Sequence, residues 1–274
     1  MTACVVDGRL STLEAERVDL GNRSFRYGDG LFETFVGAGG RVMLWAEHMA
    51  RLSGGMALLG LDAAPALEGE LLAGLSRLHA ALGLGGGPFG GRLMVWRRGG
   101  GRYAPPGGSF SWLLESWSKA EAFGLSVEAV RVGLFPEAVL VGNGLSRYKR
   151  NSALPYVWAS GWCGSEGLDD CLLQDALGRV GEALSSNVFW RSEGRWHVPG
   201  LEAGGVAGSV RAHVLGRGLA REATLPCADL ESVEAMVLAN ANGVRVVGRL
   251  LGRSLDEAAG RSWVEGWLAG ALLS

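Results

Sequence analysis

The sequence predicts a protein of mixed strands and helices, in the α/β (α+β mixed) class. Three observations point there. Short apolar runs suited to strands are interleaved with stretches whose apolar residues recur at helical spacing. A polar, Ala-rich stretch over 116–123 separates an N-terminal part, 1–115, from a C-terminal part, 124–274. A chain of 274 residues is long enough for two medium domains, each with its own core.

Taken in order, Ala3 to Val6 and Phe32 to Val36 read as strands. Gly37-Ala38-Gly39-Gly40 then reads as a hairpin turn into Arg41 to Leu44. Trp45 to Gly54 reads as a helix with Trp45, Met49 and Leu52 on one face and His48 and Arg51 on another. Ala66 to Leu82 is a second helix, buried along Leu67, Leu71, Leu75 and Leu78, with His79 packed or exposed. Gly91 to Arg97 and Phe110 to Glu115 are strands separated by a Gly- and Pro-rich loop.

Beyond the linker, Leu125 to Gly133 reads as a strand and Arg150 to Trp162 as a helix. Asp170 to Gln174 and Val188 to Trp190 are strands, with turns at Asp175 to Gly178 and Ser192 to Gly194. Ala207 to Ala220 and Asp256 to Leu272 are helices, the last carrying Trp263 and Trp267 four residues apart.

Composition narrows the function. Apolar residues make up 48% and charged residues 20%, as in soluble globular proteins. A formal charge of −2 gives no broad basic surface for nucleic acid. No apolar run nears the ~20 residues of a membrane span, and no signal peptide is visible. Cys4, Cys163, Cys171 and Cys227 are scattered, and with four histidines they form no zinc spacing, so no metal site is expected. A reducing cytoplasm suits such a chain. The 45 glycines follow no fixed period, which excludes a collagen-like repeat.

One ordered set of residues carries chemistry. Lys149 in Tyr148-Lys149-Arg150-Asn151-Ser152 is followed by Glu182, then by Gly205-Val206-Ala207-Gly208-Ser209-Val210-Arg211. Pyridoxal phosphate (PLP) needs an amine for a Schiff base, an acid at its pyridine nitrogen, and backbone N–H groups at a helix start for its phosphate. Alone, each part has a plainer reading: a basic surface turn, a strand-end glutamate, a Gly-rich turn. Their order is what raises the catalytic reading.

The chain resembles the class IV PLP-dependent aminotransferases, the group holding branched-chain and D-amino-acid aminotransferases and aminodeoxychorismate lyase. The resemblance runs from about Gly21 to Val247. It is carried by Arg23 to Thr34 (RSFRYGDGLFET), Glu47 to Leu52 (EHMARL), the Lys149 segment, Gly178 to Glu182 with Asn187 to Trp190, Gly205 to Arg211, and Asn240 to Val247. It implies a two-domain, D-amino-acid aminotransferase-like PLP-dependent fold with the cofactor between the domains, and a homodimer.

The resemblance also implies roles. Lys149 forms the Schiff base and moves protons at the substrate Cα; Glu182 pairs with the pyridine nitrogen. Gly208, Ser209, Val210 and Arg51 hold the phosphate, with His48 a structural neighbour of Arg51. The turn at Asn240 and Ala241 closes over the phosphate. Relatives often carry a hydroxyl at this turn; Ala241 has none, so only its backbone can contribute. Ser152 stands where relatives often have asparagine, and either contacts the cofactor or caps the helix that follows. Tyr27, Phe32 and Glu33 line the substrate pocket. One of Arg97, Arg98 and Arg102, near Tyr103, reads a substrate carboxylate by paired hydrogen bonds.

The reaction stays open between two classes. A lyase would eliminate pyruvate from 4-amino-4-deoxychorismate to leave 4-aminobenzoate, a step of folate biosynthesis. A transaminase would exchange branched-chain or D-amino acids with 2-oxoglutarate. The turn Ala239 to Val247 looks more like the lyase's asparagine-containing turn than the Gly-Thr-Ala turn of branched-chain enzymes. The short chain without an N-terminal extension leans the same way. A non-catalytic binder on the same fold is a remote third reading, against which Lys149 and Glu182 both stand. A nucleotide site is weaker still, because no G-x-x-x-x-G-K-[ST] occurs.

Overall fold

In the computed structural model, which describes residues 2–17, 19–121 and 123–268, the chain forms two units, each built on its own sheet. The first takes in the described residues up to 121 together with Tyr148–Ser152. Its elements are β1 (Ala3–Val6), β2 (Arg9–Thr12), α1 (Arg23–Tyr27), β3 (Gly30–Ala38), β4 (Arg41–Val42), α2 (Trp45–Leu58), α3 (Leu67–Leu82), β5 (Phe89–Arg97) and β6 (Phe110–Ser118). The sheet order is β2-β1-β6-β5-β3-β4, antiparallel throughout.

Leu67, Leu71, Leu75 and Leu78 of α3 are buried against Val5, Trp112 and Leu114, as their spacing requires. On α2 the buried stripe is His48, Arg51, Leu52, Gly55 and Met56, so His48 and Arg51 share the core-facing side with Leu52. The sequence reading had given them a separate face. Some of the glycine content has a packing reason. Phe35 pairs across the sheet with Gly91, Phe89 with Gly37, and Trp117 with Gly90. A Cβ on each glycine would lie 2.2 to 2.6 Å from the facing ring, so each ring covers a bare strand position.

The Lys149 segment is tied to β3. The Phe32 N–H donates to the Lys149 carbonyl at 2.9 Å, and the Asn151 N–H to the Gly30 carbonyl at 3.1 Å. Tyr148 beds on α2 where Gly54 and Gly55 leave room; a Cβ on either would meet its ring at about 3.1 to 3.2 Å. These bonds put Tyr148–Ser152 in the first unit, whereas the sequence division had counted the segment within 124–274. Strand β6 also runs to Ser118, into the stretch read as a linker, whose residue 122 lies outside the described residues.

The second unit holds β7 (Val130–Leu140), α4 (Leu154–Ser165), β8 (Asp170–Asp175), β9 (Val180–Ala183), β10 (Asn187–Ser192), β11 (Arg195–Pro199), α5 (Ser209–Gly216), β12 (Arg221–Ala223), β13 (Ala235–Asn240), β14 (Gly243–Leu250), β15 (Arg253–Ser254) and α6 (Glu257–Leu268). Its sheet runs β12-β11-β10-β13-β14-β7-β8-β9, with β15 beside β14. The pairs β14/β7, β7/β8 and β11/β12 are parallel. One core gathers Val132, Leu172, Val188, Met236, Leu238 and Val247; another sets α4 on Phe135, Leu140, Cys171 and Leu173.

Several sequence expectations shift here. The strand expected over 125–133 is β7, which runs through Pro136; the register slips between Leu134 and Ala138, and a bulge is where a strand tolerates proline. The helix expected from Arg150 starts at Leu154, with Pro155 in its first turn, because Arg150 and Asn151 are engaged by β3. The helix expected over 207–220 is only Ser209–Gly216; Gly218, at φ +66°, lies just beyond its end. The final helix is described to Leu268, and the expected residues 269–272 lie outside the described residues.

Candidate active site

In the first unit, Glu33 lies on β3 with its side chain buried under α2. Arg51 Nε donates to Glu33 Oε1 at 2.8 Å, and an Arg51 terminal nitrogen donates to Oε2. His48 Nδ1 lies 2.7 Å from the same Oε2. An ionised carboxylate only accepts, so this nitrogen carries the proton. Burial alone would raise the Glu33 pKa. The charge of Arg51, its hydrogen bonds and those of His48 outweigh that and hold it at about 2. Glu33, read from sequence as a substrate residue, is thus the anchor of the Arg51 guanidinium.

Lys149 is half-buried, its Nζ 4.8 Å from the centroid of the Phe32 ring. Ser152 lies against Gly28, the αL cap of α1 at φ +67°; a Cβ there would sit 2.6 Å from the Ser152 Cβ. The following helix has no side-chain cap bond, so of the two roles expected of Ser152 the cap is absent.

The arginines divide by surroundings. Arg97 is buried, donating to Asp29 at 3.0 Å and to the carbonyls of Leu59, Gly60 and Gly107. Arg23 shares the same Asp29 oxygen at 2.7 Å and reaches the carbonyls of Gly100 and Arg102. Arg98 turns to Asp7 and Ser111. Arg102 and Tyr103 are exposed, and the Tyr103 ring lies 5.7 Å from that of Tyr27. Sequence reasoning missed the Arg23–Asp29–Arg97 cluster, which spans residues far apart in the chain.

In the second unit, Glu182 is 4% exposed on β9. Its Oε1 accepts the Tyr156 hydroxyl at 2.6 Å and its Oε2 the Val206 N–H at 3.0 Å. The Val206 carbonyl accepts from Asn187 Nδ2 at 2.8 Å and from the Gly208 N–H at 2.9 Å. Asn187 therefore pins the turn that opens α5. The first helical bond of α5 runs from the Ala212 N–H to the Gly208 carbonyl, so the amides of Ser209, Val210 and Arg211 lie ahead of the helical ladder. Asn240 donates to the Ser185 carbonyl at 3.0 Å and to Ser186 Oγ at 3.1 Å, while Ala241 sits in the two-residue turn between β13 and β14. Tyr156 and Asn187 were not singled out as site residues from sequence. Tyr156 had one signal, a polar-tipped residue inside an apolar stretch, and Asn187 had its place in the segment Asn187 to Trp190 that carries the resemblance.

Comparison with known proteins gives the chain a family. Residues 30–249 match the family model described as Amino-transferase class IV, most of the chain. The chain belongs to this family. Its members are PLP-dependent enzymes. Over 209 residues the chain is 26% identical to an aminodeoxychorismate lyase of Vibrio harveyi, covering 74% of each. It is similar to the crystal structure of 4-amino-4-deoxychorismate lyase from Pseudomonas aeruginosa, at TM-score 0.81 and 27% identity over 97% of both chains. It also shares the fold of a branched-chain aminotransferase from Thermoproteus uzoniensis, at TM-score 0.84 and 22% identity over 97% of this chain and 93% of that one.

The residues fit the family's cofactor. A Cβ at Gly208 would lie 1.9 Å from Asn187 Oδ1, so only glycine leaves the helix start bare and Asn187 in place. Those amides suit a phosphate, and a buried carboxylate suits a ring nitrogen that must stay protonated. Among the described residues, no cluster of three His, Cys, Asp or Glu could hold a metal, and no helix is long and apolar enough to cross a membrane.

Proposed function

We propose that this protein is a PLP-dependent lyase acting on 4-amino-4-deoxychorismate and releasing pyruvate and 4-aminobenzoate. The observation that carries the reading is the identity to two such lyases, 26% and 27%, against 22%, 20% and 14% for three aminotransferase structures of the same fold. The asparagine-containing turn at Asn240–Asn242 supports the same side. Transamination with 2-oxoglutarate is the second reading, supported by membership of the family.

The roles follow from the side chains. Bound PLP supplies an electron sink for the carbon it activates. Lys149 holds the cofactor and then moves a proton at the substrate Cα as base and acid. Glu182 presents a negative charge to the ring nitrogen. The α5 amides with Ser209, and Arg51 oriented by Glu33, bind the phosphate. Arg97 supports its loops, which leaves Arg102 with Tyr103 as the pair presented to a substrate carboxylate. A cytoplasmic homodimer is part of the same proposal.

Purified protein given aminodeoxychorismate tests this: pyruvate and 4-aminobenzoate should appear without any added keto acid. Absence of both, with amino-group transfer from an amino acid to 2-oxoglutarate, would establish the transaminase instead. A protein that gains no absorbance band with PLP would be the binder.

A further inference from the structure

Tyr156 lies in the first turn of α4, where Pro155 fits the start of a helix. Its ring packs on the cluster of Phe135, Leu140, Ala159, Cys163, Cys171 and Leu173. From that footing its hydroxyl reaches across to β9 and donates to Glu182 Oε1 at 2.6 Å. The other oxygen is taken by the Val206 N–H, from the turn that opens α5. Two donors on two elements therefore fix both oxygens of one buried carboxylate.

We propose that Tyr156 is a positioning residue that orients Glu182 and keeps it ionised. The inference rests on the cofactor reading of Glu182 given above and adds a residue to it. A buried carboxylate is driven toward its neutral form by desolvation. A phenol donating a short bond to the anion opposes that drive, because such bonds to charged groups are among the stronger ones. The same bond turns the carboxylate plane, so the acid keeps one orientation. A tyrosine present only to fill the core would satisfy its hydroxyl on any nearby acceptor. Here the acceptor is the one acid whose charge the family's chemistry needs, and the tyrosine stands seven residues beyond Lys149.

The proton balance gives the test its sign. Without the phenol, Glu182 takes up a proton more easily, so PLP should be lost at higher pH as the solution is acidified. PLP affinity of the wild type and of Tyr156→Phe, read from the cofactor's absorbance across pH 5 to 8, should show acid limbs about one pH unit apart, with the variant's higher. That is the displacement expected for one hydrogen bond to a buried charge. Tyr156→Phe in a Glu182→Gln background should add no further shift. Should the phenylalanine variant fail to fold, 3-fluorotyrosine at position 156 keeps the ring and donates more strongly, and the limb should then move to lower pH. Coincident limbs for wild type and variant, with the acid limb absent from Glu182→Gln, would overturn the role of Tyr156 and leave the PLP reading standing. A wild type that takes up no PLP would instead remove the reading beneath it.

Discussion

Glu33 grips Arg51 with both carboxylate oxygens, one at 2.8 Å from Nε and the other on a terminal nitrogen, while His48 closes on the second oxygen at 2.7 Å. All three side chains are buried, Glu33 at 2% exposed. A guanidinium held this way cannot swing, and the phosphate role proposed for Arg51 gains a fixed direction.

The pH dependence of that grip has a definite sign. The Glu33 pKa in the folded protein is about 2 against an ordinary 4.5. A depressed pKa gives stability that is full above 4.5 and is lost as pH falls toward 2. The difference corresponds to about 3 kcal/mol, as an order of magnitude. Glu33→Gln should lower the melting temperature at pH 7 by several degrees and should flatten its dependence on pH below 4.5. Thermal unfolding followed at pH 7, 4 and 3 checks this; an unchanged acid slope in the variant would mean that Glu33 is not what holds Arg51.

Gly208 and Asn187 form a second coupled pair. Gly208 has φ −66°, so its backbone suits any residue, and the constraint is steric. Gly208→Ala should push the Asn187 amide off the Val206 carbonyl and close the helix start, with a PLP affinity loss of tenfold or more. Asn187→Ala alone should cost less, and the double variant should bind better than the sum of the two losses allows, because one clash is removed. Titrations with PLP and with unphosphorylated pyridoxal separate the effects: only PLP should respond strongly to Gly208→Ala. Strict additivity would show that the two residues do not meet.

Much of the molecule was legible in the sequence, for identifiable reasons. The four leucines of α3 repeat at helical spacing over sixteen residues, and the apolar runs of β3 and β8 are long enough to read as strands, so tertiary packing had nothing to override. The family could be read because Lys149, Glu182 and Gly208 stand in the order of the resemblance, among its six segments from Arg23 to Val247. Short strands such as β9, β11 and β12 have too few residues to display a period. Pro136 hid the length of β7, and the pairing of Asn151 with Gly30 displaced the start of α4. The bonds from Tyr156 and Val206 to Glu182 join residues 26 and 24 positions apart, a distance over which no local pattern carries information.

Arg97 makes a different kind of prediction, because its surroundings are structural. It ties Asp29 to the loops at Leu59–Gly60 and Gly107, and with Arg23 it surrounds one carboxylate. Arg97→Lys keeps the charge but not the planar fork, and should destabilise the protein by about 2–3 kcal/mol. Arg102→Ala should leave stability within about 0.5 kcal/mol, as expected at an exposed site, and should raise the KM of a carboxylate substrate. Denaturant unfolding and steady-state kinetics on the two variants decide between them. A raised KM in Arg97→Lys at unchanged stability would return Arg97 to the substrate.

Lys149 is the residue on which activity depends most. Its backbone is fixed by Phe32 and its neighbour Tyr148 by Gly54 and Gly55, so its side chain can change without loss of the segment. Lys149→Ala should abolish pyruvate release and remove the absorbance band that borohydride bleaches in the wild type. Its melting temperature without PLP should stay within a few degrees of the wild type, because a half-buried lysine contributes little to packing. Restoring slow turnover with a small added amine would show that a missing amine, and not a disturbed fold, was the defect. Full turnover in Lys149→Ala would mean that another group moves the proton at Cα, and the assignment of this lysine would fall.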